Sequence, residues 1–182
     1  MAASNTGRVM APLSLALLAL LLAGTGASAY AGGSKPSRAN VERLVRDWLR
    51  VWEVNDERLF RSIIHPDLMF AYPGRREDHT AALASYAEFH QSFENTRVYI
   101  HQILVDGNRF MVEYQFASTR RATGKRQAAG TIAIGEVRDG RLFIVKEYLD
   151  GRVSRMQEAG QLPIDEGAEP FPWPLVPPPA QQ

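Results

Sequence analysis

Four long strand signals follow one another from Thr96 to Leu149, and this run does most to decide what the chain can fold into. Residues 96–105 turn at Asp106-Gly107-Asn108 into 110–119. Residues 120–125 hold a Thr-Gly turn leading to 126–138, and Asp139-Gly140 opens the final strand. Strands this close in sequence, joined by tight turns, pair as an antiparallel meander. Side chains alternate faces along a strand. In the final strand Phe143, Val145, Glu147 and Leu149 therefore share one face, and Leu142, Ile144, Lys146, Tyr148 and Asp150 share the other. Glu147 is an acid in an apolar row. With that row facing inward, desolvation raises its pKa.

Upstream, helical periodicity replaces alternation. Val41, Leu44, Val45, Trp48, Leu49 and Trp52 recur at i, i+3, i+4, i+7, i+8 and i+11, an apolar stripe with Asn40 as cap. Asn55-Asp56 restarts a shorter helix over 57–64. His65-Pro66-Asp67 ends it, because the residue before proline is driven out of the α region. Residues 68–72 form a short strand closed by Pro73-Gly74. Residues 75–80 are a charged loop with Asp78 or Thr80 as cap, and 81–93 a third helix. Three helices ahead of a four-to-six-stranded, mostly antiparallel sheet make an α+β fold. A strongly curved sheet of this kind wraps the helices and leaves a cone-shaped pocket.

The ends read differently. Residues 1–8 carry one cation, 9–23 are almost wholly apolar, and Ala27-Ser28-Ala29 supplies small residues in the A-x-A arrangement of a secretory cleavage site. The apolar run is shorter than the roughly 20 residues of a membrane span, so cleavage after Ala29 is expected over an uncleaved anchor. The product is then periplasmic or secreted, with no stable membrane anchor. The expected layout is signal peptide 1–29, flexible linker 30–39, domain 40–158 and Pro-rich tail 159–182. Removing the leader takes Arg8 and no acid, so the formal charge falls from +1 to zero. That argues against the basic surface that nucleic acid binding needs. With no cysteine, there is no disulfide, thiolate metal site or cysteine nucleophile. Four scattered histidines lack metal-site spacing, and neither a Gly-rich phosphate loop nor G-x-S-x-G occurs. Arg120, Arg121, Lys125 and Arg126 cluster at one hairpin tip, as an anion site or a solvated turn.

The stretches LRVWEVNDERLFRSIIHPDLMFAYPG, VDGNRFMVEYQFAST and GTIAIGEVRDGRLFIVKEYLDG resemble the SnoaL-like branch of the nuclear transport factor 2-like superfamily over roughly residues 40–155. That family's fold is a cone-shaped α+β barrel, and its members include isomerases, cyclases, epoxide hydrolases, dehydratases and non-catalytic binders. Glu147 falls on the acid that the epoxide hydrolases carry on the last strand. Their Arg-x-Asp pair falls on Tyr114 and Phe116, so that triad is incomplete. The ketosteroid isomerase positions hold Trp48, Tyr72 and Ala133, and no pair of pocket histidines matches the dehydratases. The resemblance implies a small apolar ligand, no cofactor, and a homodimer formed through the other sheet face (Ile132, Ile134, Leu142, Ile144, Tyr148). The expected catalytic residues are Glu147 as acid or base with Tyr72 and Tyr114 as donors. Trp48, Trp52, Val112, Phe116, Phe143, Val145 and Leu149 are the expected pocket lining. The alternative is a non-catalytic binding or assembly module acting through the outer sheet face and the tail, in which Phe171, Trp173 and Leu175 alternate with prolines.

Overall fold

A computed structural model describes residues 36–170. The expected signal peptide, most of the linker and the end of the tail, with Phe171, Trp173 and Leu175, lie outside the described residues. Helix α1 (Arg38–Val54) buries the whole apolar stripe. Its cap is Ser37, not Asn40: the Ser37 hydroxyl accepts from the Asn40 amide at 3.2 Å. Asn55 ends the helix in the left-handed region at φ 51°, a conformation asparagine tolerates better than most residues. Asp56 then caps α2 (Glu57–Ile63) by accepting from the Leu59 amide, and Asp78 caps α3 (His79–Ser92) in the same way. Trp48 sits at the centre of the aromatic core, against Trp52, Phe60 and Phe70. Tyr86 of α3 stacks on Phe60 and donates its hydroxyl to the Val51 carbonyl, which ties α3 to α1.

The sheet has six strands in the order β2-β1-β6-β5-β4-β3. They are β1 (Ile64–Tyr72), β2 (Arg75–Glu77), β3 (Phe93–Asp106), β4 (Arg109–Arg120), β5 (Lys125–Arg138) and β6 (Arg141–Leu149). The meander β3–β6 is antiparallel as expected, and β1 pairs in parallel with β6. The sheet is curved and does not close. Two elements differ from the sequence reading. The charged loop after Pro73-Gly74 is a short hairpin strand in which Glu77 faces Phe70, and β6 is followed by a fourth helix, α4 (Gly151–Glu158).

A bulge changes one end of β6. Val137 pairs with Leu142 while Glu136 pairs with Ile144, so the ladder steps over Phe143. Leu142, expected on the outer face, is therefore wholly buried. Phe143, expected inside, instead stacks under the Arg138 guanidinium at 3.3 Å and beside His65. Beyond the bulge Val145, Glu147 and Leu149 keep the expected inward parity.

The chain after α4 returns across the sheet instead of leaving it. Where β6 ends, the exposed edge of β5 is taken up by Gln157, whose side chain bonds both the amide and the carbonyl of Ala128. Gln115 then clasps the Asp165 carbonyl and the Gly167 amide, and Glu166 accepts from Tyr99 and Arg126. The basic hairpin tip is consumed by such pairings. Arg120 bonds Glu158, Arg121 bonds Glu94, Arg126 bonds Glu166, and Lys125 bonds the Glu158 carbonyl. Each of the four cations therefore has a partner within the chain.

Gly135 on β5 lies under the Phe110 ring. A Cβ at this position would stand 2.2 Å from the Ile144 carbonyl oxygen and 2.5 Å from Phe110 Cζ. Gly135→Ala is expected to lower stability by about 2 kcal/mol or more, as overpacking against backbone does, read as a fall in the denaturant midpoint. An unchanged midpoint would show that the sheet relaxes there freely.

Candidate functional site

Between α1, α3 and the concave face of the sheet lies a cavity of about 260 Å³, near the lower end of ligand pockets. Its apolar wall is Trp52, Phe70, Phe89, Phe116, Ala129 and Leu149. Its polar groups are Tyr72, Ser85, Tyr114, Gln127, Thr131, Glu147 and Ser154. The positions arise from strand parity. Tyr114 pairs with Thr131 across β4–β5, and Ala133 pairs with Glu147 across β5–β6. Tyr114 and Glu147 thus stand two strands apart and two residues out of line, roughly 12 Å between backbones. Ala133 on the intervening strand is small enough to let the longer side chains meet above it. The Tyr114 hydroxyl donates to Glu147 Oε1 at 3.1 Å.

Burial dominates the electrostatics of this pair. The Glu147 carboxyl is enclosed by protein while keeping some surface on the cavity. Its pKa is pushed up to about 7, chiefly by loss of solvation, against which the bond from Tyr114 and the nearby Trp48 indole N–H pull downward. Trp48 Nε1 is buried and makes no full hydrogen bond with any described group, so its influence is that of a nearby dipole. Tyr114 is driven well above the ordinary tyrosine range by burial, then by the Glu147 charge and their bond. At neutral pH it is therefore a proton donor.

Tyr72 stands elsewhere on the wall. Its hydroxyl donates to Glu77 Oε1 at 2.8 Å, and Ser85 donates to the same oxygen at 2.6 Å. Glu77 itself is buried. The sequence reading places it in a charged loop over 75–80. The available signal was Pro73-Gly74: read as a hairpin turn, it places Glu77 opposite inward-facing Phe70.

Of the residues expected to line the pocket, Trp52, Phe116 and Leu149 do so, beside Tyr72, Tyr114 and Glu147. Trp48, Val112 and Val145 do not. They lie deeper, fully buried in the closed core, because the aromatic cluster packs down to the sheet below the cavity floor. Phe143 is turned away by the bulge. Among the described residues no three of His, Asp and Glu gather as a metal site.

Residues 45–145, more than half of the chain, match the SnoaL-like domain family. The chain belongs to that family. Solved structures agree on the SnoaL-like fold. An LEH-like epoxide hydrolase of M. tuberculosis is 20% identical with a TM-score of 0.61, over 69% of this chain and 94% of that one. IdmH of Streptomyces antibioticus, a proposed polyketide cyclase, is 16% identical with a TM-score of 0.60, over 65% and 98%. A protein of ketosteroid isomerase-like fold from Catenulispora acidiphila, in complex with trimethylamine, is 13% identical with a TM-score of 0.59, over 64% and 92%. At these identities the likeness is one of fold. No curated protein matches the chain.

Proposed function

We propose that this SnoaL-like domain binds a small, mostly apolar molecule and moves a proton on it, with Glu147 as the acid–base group and Tyr114 as its partner. The observation that carries the reading is a carboxyl with a pKa of about 7 on the wall of an apolar cavity, bonded to a buried tyrosine. A general base is most effective with a pKa near the working pH. As an ionised carboxylate, Glu147 accepts from Tyr114 and has Oε2 left to take a proton from carbon. Once protonated it no longer needs the tyrosine proton. Tyr114 is then free to donate to the oxyanion that forms on the ligand. Isomerisation, cyclisation and dehydration each need such a transfer, and no cofactor enters it. Carbon-13 titration of the Glu147 carboxyl tests the reading, with Glu147→Gln assigning the signal. A midpoint near 7 is expected, rising further in Tyr114→Phe as the lowering bond is lost. A midpoint near the free value of about 4.3 would refute it.

A second reading places the function in assembly, and the outer sheet face favours it. Met69, Leu104, Ile132, Ile134 and Tyr148 are exposed there, and exposed apolar side chains gathered on one sheet face mark a candidate interaction surface. A homodimer through this face is the expected state. Light scattering should give twice the chain mass, and Ile134→Asp should halve it; a wild-type monomer would end the idea. Export rests on residues 1–29, and the N-terminal sequence of protein recovered outside the cytoplasm should begin at Tyr30.

A further inference from the structure

Of the polar groups on the cavity, only Glu147 and Tyr114 are used in the proton transfer proposed above. Elsewhere on the wall, Tyr72 and Ser85 line the cavity while Glu77 lies behind them, nine-tenths buried or more. Glu77 Oε1 takes both hydroxyl protons, at 2.8 and 2.6 Å, and Oε2 is buried without any hydrogen-bond partner. The nearest cation, Arg75 Nη1, stands 4.0 Å from Oε1 with its side chain largely exposed.

An ionised carboxylate only accepts hydrogen bonds, so both hydroxyls must point their protons at it. Neither can be withdrawn cheaply, because Glu77 already has one buried oxygen unpaired and would lose a charge-assisted bond. What Tyr72 and Ser85 can offer the cavity is therefore their lone pairs. This reverses the donor role that the sequence suggested for Tyr72. The cavity surface is largely apolar and would solvate a cation poorly, so the wall calls for a neutral donor more than for a cation.

We propose that the Tyr72–Ser85 wall is an acceptor site for a hydroxyl on the ligand, and that Glu77 determines this specificity by holding both protons. The proposal rests on the cavity being the binding site. It narrows the ligand to an apolar body bearing a hydroxyl away from its reacting carbon. Glu77 is a positioning residue, since it touches the ligand only through Tyr72 and Ser85.

The test uses three probes of one skeleton, indane, 5-indanol and 5-methoxyindane, with calorimetric Kd values for the folded wild type and variants. Wild type is expected to bind 5-indanol about tenfold more tightly than 5-methoxyindane, which keeps the oxygen but lacks the proton. Tyr72→Phe with Ser85→Ala should reduce that preference to within about twofold. Glu77→Gln brings an NH2 that can donate to one hydroxyl and turn its proton toward the cavity. The preference should then shift toward 5-methoxyindane. Indane binding with no wild-type preference for 5-indanol, or a preference that survives the double variant, overturns the acceptor wall alone. Failure of all three probes to bind overturns the cavity reading and this proposal with it.

Discussion

Glu147→Gln is expected to slow proton exchange on an enolisable ketone by about 10²–10⁴-fold, the usual range for a positioned acid–base group. The concrete assay is deuterium uptake at the α-carbon of 1-indanone in D2O, followed by proton NMR, with wild type and variant compared over buffer alone. The Glu147 carboxylate takes the α-proton and the C–H electron pair forms the C=C bond. The carbonyl oxygen then carries the charge until a deuteron returns. Glutamine keeps the size and the bond from Tyr114 but cannot accept the proton, so binding should change little while exchange falls. In wild type the exchange rate should rise with pH through about 7, as the carboxyl of this pKa ionises. Equal exchange by the two proteins would leave the cavity as a binding site without chemistry.

Much of this site was legible in the sequence, because it rests on short-range rules. The meander follows from turn signals, and the inward parity of Glu147 follows from alternation along one strand. The α1 stripe placed Trp52 on the cavity side, but could not say that Trp48, one turn earlier, lies below the floor. That depends on how deeply the aromatic rings nest, which is a property of packing. The bulge at Phe143 was hidden for a different reason. Leu142 and Phe143 at the start of β6 are both apolar, so exchanging their faces leaves no mark on the pattern. Glu77 was hidden by its neighbours: Arg75 and Arg76 make the segment look solvated, and the hydroxyl partner Ser85 lies on another element. The return of residues 161–170 across the sheet depends on Gln115 clasping backbone groups, a contact with no hydrophobic period to announce it.

The same burial that would make Glu147 useful should make it costly to the fold, and the sign follows from linkage. Its pKa is about 7 when folded against an ordinary 4.5. Between those values the native state holds a proton that the unfolded chain has lost, so stability falls as pH rises through this window. The full cost is present above the folded pKa and absent below the unfolded one, opposite in direction to an ion-paired acid. Its size is on the order of 3 kcal/mol. Glutamine at this position cannot ionise, so Glu147→Gln should match wild type near pH 4 and exceed it by roughly 2–3 kcal/mol at pH 8. Urea midpoints of the two proteins at several pH values supply the difference, in which every other titrating group cancels. A difference constant from pH 4 to 8 would mean that the carboxyl titrates alike in the folded and unfolded chain, which an acid desolvated in an apolar cavity cannot do. A difference that opens between pH 5 and 7 while the variant loses exchange would show one property, a carboxyl held away from water, working against stability and for chemistry at once.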